Sequence, residues 1–153
     1  MEPVLESIII NRPIEEVFAY VSDLRHSQEW QNGLLEVRKI TEGPLGVGTQ
    51  FTFVRTFLGR KLEASNEFIE YIPNTIVTFK VTSGPVPGQG SYLFESTPEG
   101  SKVISKVEMQ AKGFVKLAEP LIAASLSRDV ESNLEKLKNL LENRAANSDS
   151  REL

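Results

Sequence analysis

At 153 residues the chain has the length of one ordinary domain, large enough to bury a core without covalent staples. A composition of 40% hydrophobic and 25% charged residues excludes wholesale disorder, and no apolar run nears the roughly 20 residues that span a bilayer. A net charge of −4, with 17 basic residues scattered among 21 acidic ones, excludes the clustered basic face that nucleic-acid binding requires. The chain has no cysteine, so a disulfide framework, a thiol nucleophile and a thiolate metal site are all ruled out. The opening Met1-Glu2-Pro3-Val4-Leu5-Glu6 lacks the basic and long apolar regions of a leader peptide, and the cytoplasm is the expected compartment.

In chain order, Val4 to Ile10 is rich in β-branched side chains and predicts a first strand. Asn11-Arg12-Pro13 ends it, with Asn11 as the expected cap of a helix over 13–22 whose apolar face carries Ile14, Val17, Phe18 and Val21. Asp23 to Gln31 predicts a second short helical piece with His26 and Trp30, broken by Asn32-Gly33. Strand-like runs follow at 34–41, 49–58, 61–72, 75–82, 90–97 and 102–111, separated by turn signals such as Gly43-Pro44, Gly59, Pro73-Asn74 and the stretch Gly84 to Gly90. Short turns between consecutive strands predict an antiparallel meander, because parallel neighbours need long crossovers.

From Phe114 the period becomes helical, and Leu117, Leu121, Ile122, Leu126, Val130, Leu134, Leu137 and Leu141 form the expected stripe, with Pro120 predicted to kink or restart the helix. The polar end from 145 to 153 is expected to be a disordered tail, leaving one domain over 1–144. The fold class is α+β. One helix cannot cover both faces of such a sheet. A curved seven-stranded antiparallel sheet wrapped on the long C-terminal helix buries the apolar surface and leaves room for a pocket between the layers.

The stretch Asn11-Arg12-Pro13-Ile14-Glu15-Glu16-Val17-Phe18-Ala19-Tyr20-Val21-Ser22-Asp23, followed by Trp30, resembles the opening of the polyketide cyclase/dehydrase-like branch of the START-related (SRPBCC, helix-grip) superfamily. Gly43-Pro44 with Gly46-Val47-Gly48-Thr49, then Glu67-Phe68-Ile69-Glu70-Tyr71-Ile72-Pro73, and finally Leu134 to Glu142 resemble later parts of the same branch, so that residues 3–143 are covered. The resemblance implies a helix-grip fold with an internal cavity. Because members range from lipid carriers and hormone receptors to cyclases and chaperone activators, it implies the function only loosely.

Strand 49–58 is the most informative. Phe51, Phe53, Arg55 and Phe57 share one parity, so a face that turns three aromatic rings into a cavity should also bring in the guanidinium. There Arg55 would suit a ligand carboxylate or phosphate; alternatively it sits at the rim, paired with Glu63 or Glu67. On the next strand Asn66 shares its parity with Leu62, Ala64 and Phe68 and is a candidate polar handle. Trp30, Phe68, Phe79, Tyr92, Phe94 and Met109 complete the expected wall, each of them also explicable as core. His26 stands alone as a histidine, with Asp23 three residues away as its only nearby partner for acid–base work, and no metal-ligand spacing exists. Glu36 and Glu63 are a further candidate carboxylate pair, and the loop 84–90 a candidate lid.

The expected function is to bind or carry a small apolar or aromatic molecule in a cavity between sheet and C-terminal helix, without cofactor or metal. The alternatives are a cyclase/dehydratase-type enzyme working chiefly by cavity shape, with Arg55, Tyr92, His26 and Asn66 as its polar groups, and a surface-acting interaction module with an exposed apolar patch and no sizeable pocket. No catalytic set is legible, and the sequence leaves homodimerisation open.

Overall fold

The computed structural model describes residues 2–57, 59–109 and 119–152. Strand β1 (Val4–Ile10) alternates its side chains, turning Val4, Ile8 and Ile10 inward and Leu5 and Ile9 to solvent. Helix α1 (Ile14–Ser22) follows, with Val17, Phe18 and Val21 on its buried face and Glu15 and Glu16 at its positive end. Its N-cap is Pro13, not Asn11, and no side chain caps it. The Pro13 carbonyl accepts from the amides of Glu16 and Val17, while the Asn11 amide is drawn away to Glu142. A 3-10 turn, Leu24–Glu29, comes next, started by Asp23, whose carboxylate accepts the Arg25 amide at 3.1 Å.

Six further strands, β2 (Leu34–Lys39), β3 (Gln50–Phe57), β4 (Arg60–Ile72), β5 (Ile76–Ser83), β6 (Gly88–Thr97) and β7 (Gly100–Met109), run antiparallel to their neighbours. With β1 they form a curled half-barrel in the order β1-β7-β6-β5-β4-β3-β2, so the first strand closes against the last. Asn74 makes the β4–β5 turn at φ 61, a left-handed position that its short side chain tolerates. Bulges interrupt β4 against β5 at Ser65/Asn66 and Phe68/Glu70, which bends this long strand.

Helix α2 (Glu119–Glu152) lies along β1 and buries Leu134, Leu137 and Leu141 against Ile10, Val17, Val21, Phe94 and Val103. Polar contacts pin it there. Lys138 donates to the Ile9 carbonyl at 2.6 Å, Glu142 accepts the Asn11 amide at 3.0 Å, and Asn133 accepts the Asn32 amide at 2.9 Å. Residues 110–118, where the sequence starts the helix, lie outside the described residues; the helix as described begins with Pro120 in its first turn. Two features differ from the sequence expectation. Leu121 is 76% exposed instead of joining the buried stripe, and the helix continues to Glu152 across the region expected to be a tail, where no Gly or Pro interrupts it.

Candidate functional site

The hollow of the sheet is filled by side chains at one end only. At the other, under the first turns of α2, lies a cavity of about 470 Å³, within the usual range for small-molecule sites. The register between β3 and β4 runs unbroken from Gln50 to Phe57, so the parity of β3 holds and Phe51, Phe53 and Arg55 all border the cavity. Arg55 is therefore not paired with Glu63 or Glu67, and Glu67 accepts instead from Gln50 at 3.1 Å. Of Phe57 only the backbone, closing β3, is described. From β4 come Ala64 and Asn66, from β5 Phe79, from β6 Tyr92, from β7 Met109 and from the segment after the 3-10 turn Trp30, all on the wall. Gly90 makes room for Phe79, since a Cβ there would lie 2.7 Å from its ring.

Two of the expected wall residues are elsewhere. Phe94 stacks edge-on with Phe18 at 5.0 Å, and Phe68 packs between Phe51 and Tyr71 at 5.4 and 6.0 Å; neither borders the cavity. Both have the right parity but lie farther along the sheet, in the filled half.

One polar network crosses the wall. Gln31 donates from Nε2 to the Tyr92 hydroxyl at 2.9 Å and accepts at Oε1 from Arg55 Nη2 at 3.3 Å. The Arg55 guanidinium also lies 5.4 Å from the Phe53 ring centre, a cation–π contact. Among the described residues no carboxylate pairs with Arg55, and its Nε is buried without a partner. Burial pulls its pKa down from the ordinary value, a pull partly opposed by Tyr92. Burial pushes the Tyr92 phenol up to about 12, against smaller lowering effects of Arg55 and Gln31, so it stays protonated at neutral pH. Asn66 Oδ1, Trp30 Nε1 and Ser27 Oγ are likewise buried without partners on residues that border the cavity. A buried polar group left unmatched costs about 1–3 kcal/mol. Tyr20, Ser22 and Thr97 also carry such atoms, away from the cavity.

The other chemical candidates stand apart from the cavity. His26 stacks on Tyr20 with ring centres 4.4 Å apart and its Nδ1 lies 2.9 Å from the Tyr20 carbonyl. Asp23, its supposed partner, is held by Arg25 at 2.7 Å. Glu36 and Glu63 sit across β3 on either side of Val54, facing out, with Glu36 paired to Arg38. The 84–87 turn between β5 and β6 does reach the site, and Pro85, Val86 and Pro87 border the cavity. Gln31 is the cavity-lining member of this network that sequence reasoning missed. Its partners are 24 and 61 residues away, and nothing local announces them.

With this geometry in place, the comparisons decide the family. The family model described as "Polyketide cyclase / dehydrase and lipid transport" matches residues 1–142. The chain belongs to this family. Among curated proteins none matches the sequence significantly. Similar solved structures include the Thermus thermophilus protein TTHA0849, at 21% identity and TM-score 0.75, over 90% of this chain and 94% of that one. The ZhuI aromatase/cyclase from a Streptomyces species aligns at 12% identity and TM-score 0.75, over 94% and 95% of the two chains. The di-domain ARO/CYC protein StfQ of the steffimycin biosynthetic pathway aligns at 16% identity and TM-score 0.76, over 94% of this chain and 51% of that one. At these identities the likeness establishes the helix-grip fold and nothing finer. Among the described residues no helix is long and apolar enough to cross a membrane.

Proposed function

We propose that this family member binds a small apolar or aromatic molecule in the cavity between the sheet and α2, with an acidic or strongly accepting group of that molecule beside Arg55. The observation that carries the reading is a cation without a carboxylate partner among the described residues, set in a wall of Trp30, Phe51, Phe53 and Phe79. Desolvating a guanidinium without a counter-charge is unfavourable, and a bound carboxylate would relieve it through a bidentate contact. A cysteine-free chain suits the reducing cytoplasm, where we place it. A cyclase/dehydratase reading is favoured by one specific feature, the protonated Tyr92 phenol joined through Gln31 to Arg55, which could give a proton to a substrate oxygen. The surface-module reading expects no sizeable pocket, and a cavity of about 470 Å³ weighs against it.

The test is native mass spectrometry of the purified protein, repeated after denaturation to identify whatever is released. A co-purifying apolar acid supports the binding reading. A protein that stays at its bare mass after exposure to a panel of apolar and aromatic acids overturns it.

A further inference from the structure

We infer that Gln31 is a positioning residue that makes one end of the cavity a pole of donors only, selecting a ligand group with acceptor oxygens and no proton to give, such as a carboxylate, sulfonate or enolate. The inference rests on the binding reading above and assigns the orientation of its recognition group. Chemistry fixes the direction of each bond. A guanidinium has five N–H donors and no acceptor, so the Gln31 atom facing Arg55 must be the amide oxygen. The amide nitrogen then faces Tyr92 and donates to the phenol oxygen. With that lone pair engaged, the phenol proton must find an acceptor elsewhere, and among the described residues Tyr92 makes no other hydrogen bond.

Arg55 keeps donors in hand, because Gln31 engages only one of its five and Nε has none. The Trp30 indole N–H, likewise unpartnered, belongs to a ring centred 6.0 Å from that of Tyr92. Nearby carboxylates do not answer these donors. Glu108 is paired with Lys106 at 3.0 Å, and Asp129 is exposed on α2. A neutral hydroxyl could accept from both donors but would have to send its own proton elsewhere, whereas an anionic oxygen group accepts from Tyr92 and Arg55 with no proton to place and with charge assistance.

The experiment compares two fluorescent probes of the same ring system, anilinonaphthalene sulfonate and its uncharged analogue N-phenylnaphthylamine. Binding is read by energy transfer from Trp30, the sole tryptophan, which borders the cavity. The wild-type protein should favour the sulfonate by about tenfold or more, as expected for one charge-assisted contact in a shielded site. Gln31→Glu places a carboxylate between Arg55 and Tyr92 that takes both donors, and should abolish the preference while leaving the neutral probe within about twofold. Tyr92→Phe should then weaken the sulfonate in the wild-type background and have no effect in the Gln31→Glu background, a non-additivity that a merely structural glutamine would not produce. Should Gln31→Glu fail to fold, Gln31→Met, which removes both bonds without adding charge, should reduce the preference several-fold with the neutral probe unaffected. A preference that survives these variants, or an equal loss of both probes, overturns the inference and leaves the binding reading intact. If neither probe quenches Trp30 in the wild type, the binding reading falls and this inference with it.

Discussion

The two halves of α2 meet the same sheet in opposite ways. From Leu134 to Leu141 the helix is sealed onto a filled core, with Leu134, Leu137 and Leu141 no more than 1% exposed above Ile10, Val17 and Val103. From Pro120 to Leu126 it roofs a hollow, Leu121 turns to solvent, and Ile122 and Leu126 are only half-buried. Polar side chains follow the same division in part. Ser27, Trp30, Arg55 and Asn66, each with a buried polar atom lacking a partner, border the hollow, whereas Tyr20, Ser22 and Thr97, with the same property, do not. On the proposed binding reading, fold stability and recognition belong to different ends of one interface, and changes at one end should leave the other largely untouched.

The sharpest way to break this comparison is to weaken the sealed end. Leu137→Ala removes a fully buried side chain and should cost about 2–5 kcal/mol in urea unfolding, with probe affinity in the folded protein unchanged. A large loss of affinity would show that the ends are coupled. Phe53→Ala acts on the roofed end. Its ring is half-buried, so the cost should be smaller, about 1–3 kcal/mol, while the enlarged cavity changes probe affinity several-fold. Arg55→Met sharpens the contrast by separating the two roles. Without ligand, replacing a shielded, unneutralised cation with an apolar side chain of similar length should raise stability by about 1 kcal/mol. Affinity for an anionic probe should fall at the same time, with a neutral probe unaffected. Lower stability together with unchanged anion affinity would remove Arg55 from the site.

Much of the sealed end was legible in the sequence, because its signals are local and periodic. The leucine spacing of 134–141 and the α1 face Val17, Phe18, Val21 both translate directly into burial. Parity likewise placed Arg55 and Asn66 on the cavity wall, since the β3–β4 register has no slip between Gln50 and Glu67. Parity could not say how far along the sheet the hollow extends. Phe68 and Phe94 share the face of Phe53 and Phe79, yet they pack against Phe51, Tyr71 and Phe18, and only the placement of α1 and α2 separates filling from wall. Gln31 was invisible for the same reason, since its role exists only where β3 and β6 converge on the segment after the 3-10 turn. Asn11 misled in the opposite direction. It has the residue type of a helix cap, but the helix starts at Ile14 with Pro13 in the cap position, and the Asn11 backbone amide donates instead to Glu142, 131 positions away.

That contact gives the smallest effect and a pH test of the sealed end. Glu142 accepts from Lys138 Nζ at 2.8 Å and from the Asn11 amide at 3.0 Å, tying the end of β1 to α2. The Lys138 hydrogen bond, then the Asn11 amide, holds its carboxyl below the usual range, against a smaller opposing effect of burial. A carboxylate with a lowered folded pKa contributes stability above its unfolded value of about 4.3 and loses it as the pH falls through the folded one. Glu142→Gln keeps the shape and removes the charge, so it should lower the urea midpoint at neutral pH by an amount worth under about 1 kcal/mol, the group being partly solvated. The gap between wild type and variant should stay constant down to about pH 5 and close at lower pH as the wild-type carboxyl takes up its proton. A gap that persists unchanged to about pH 2 would mean that Glu142 acts through its shape and packing, with the β1–α2 seal owing nothing to its charge.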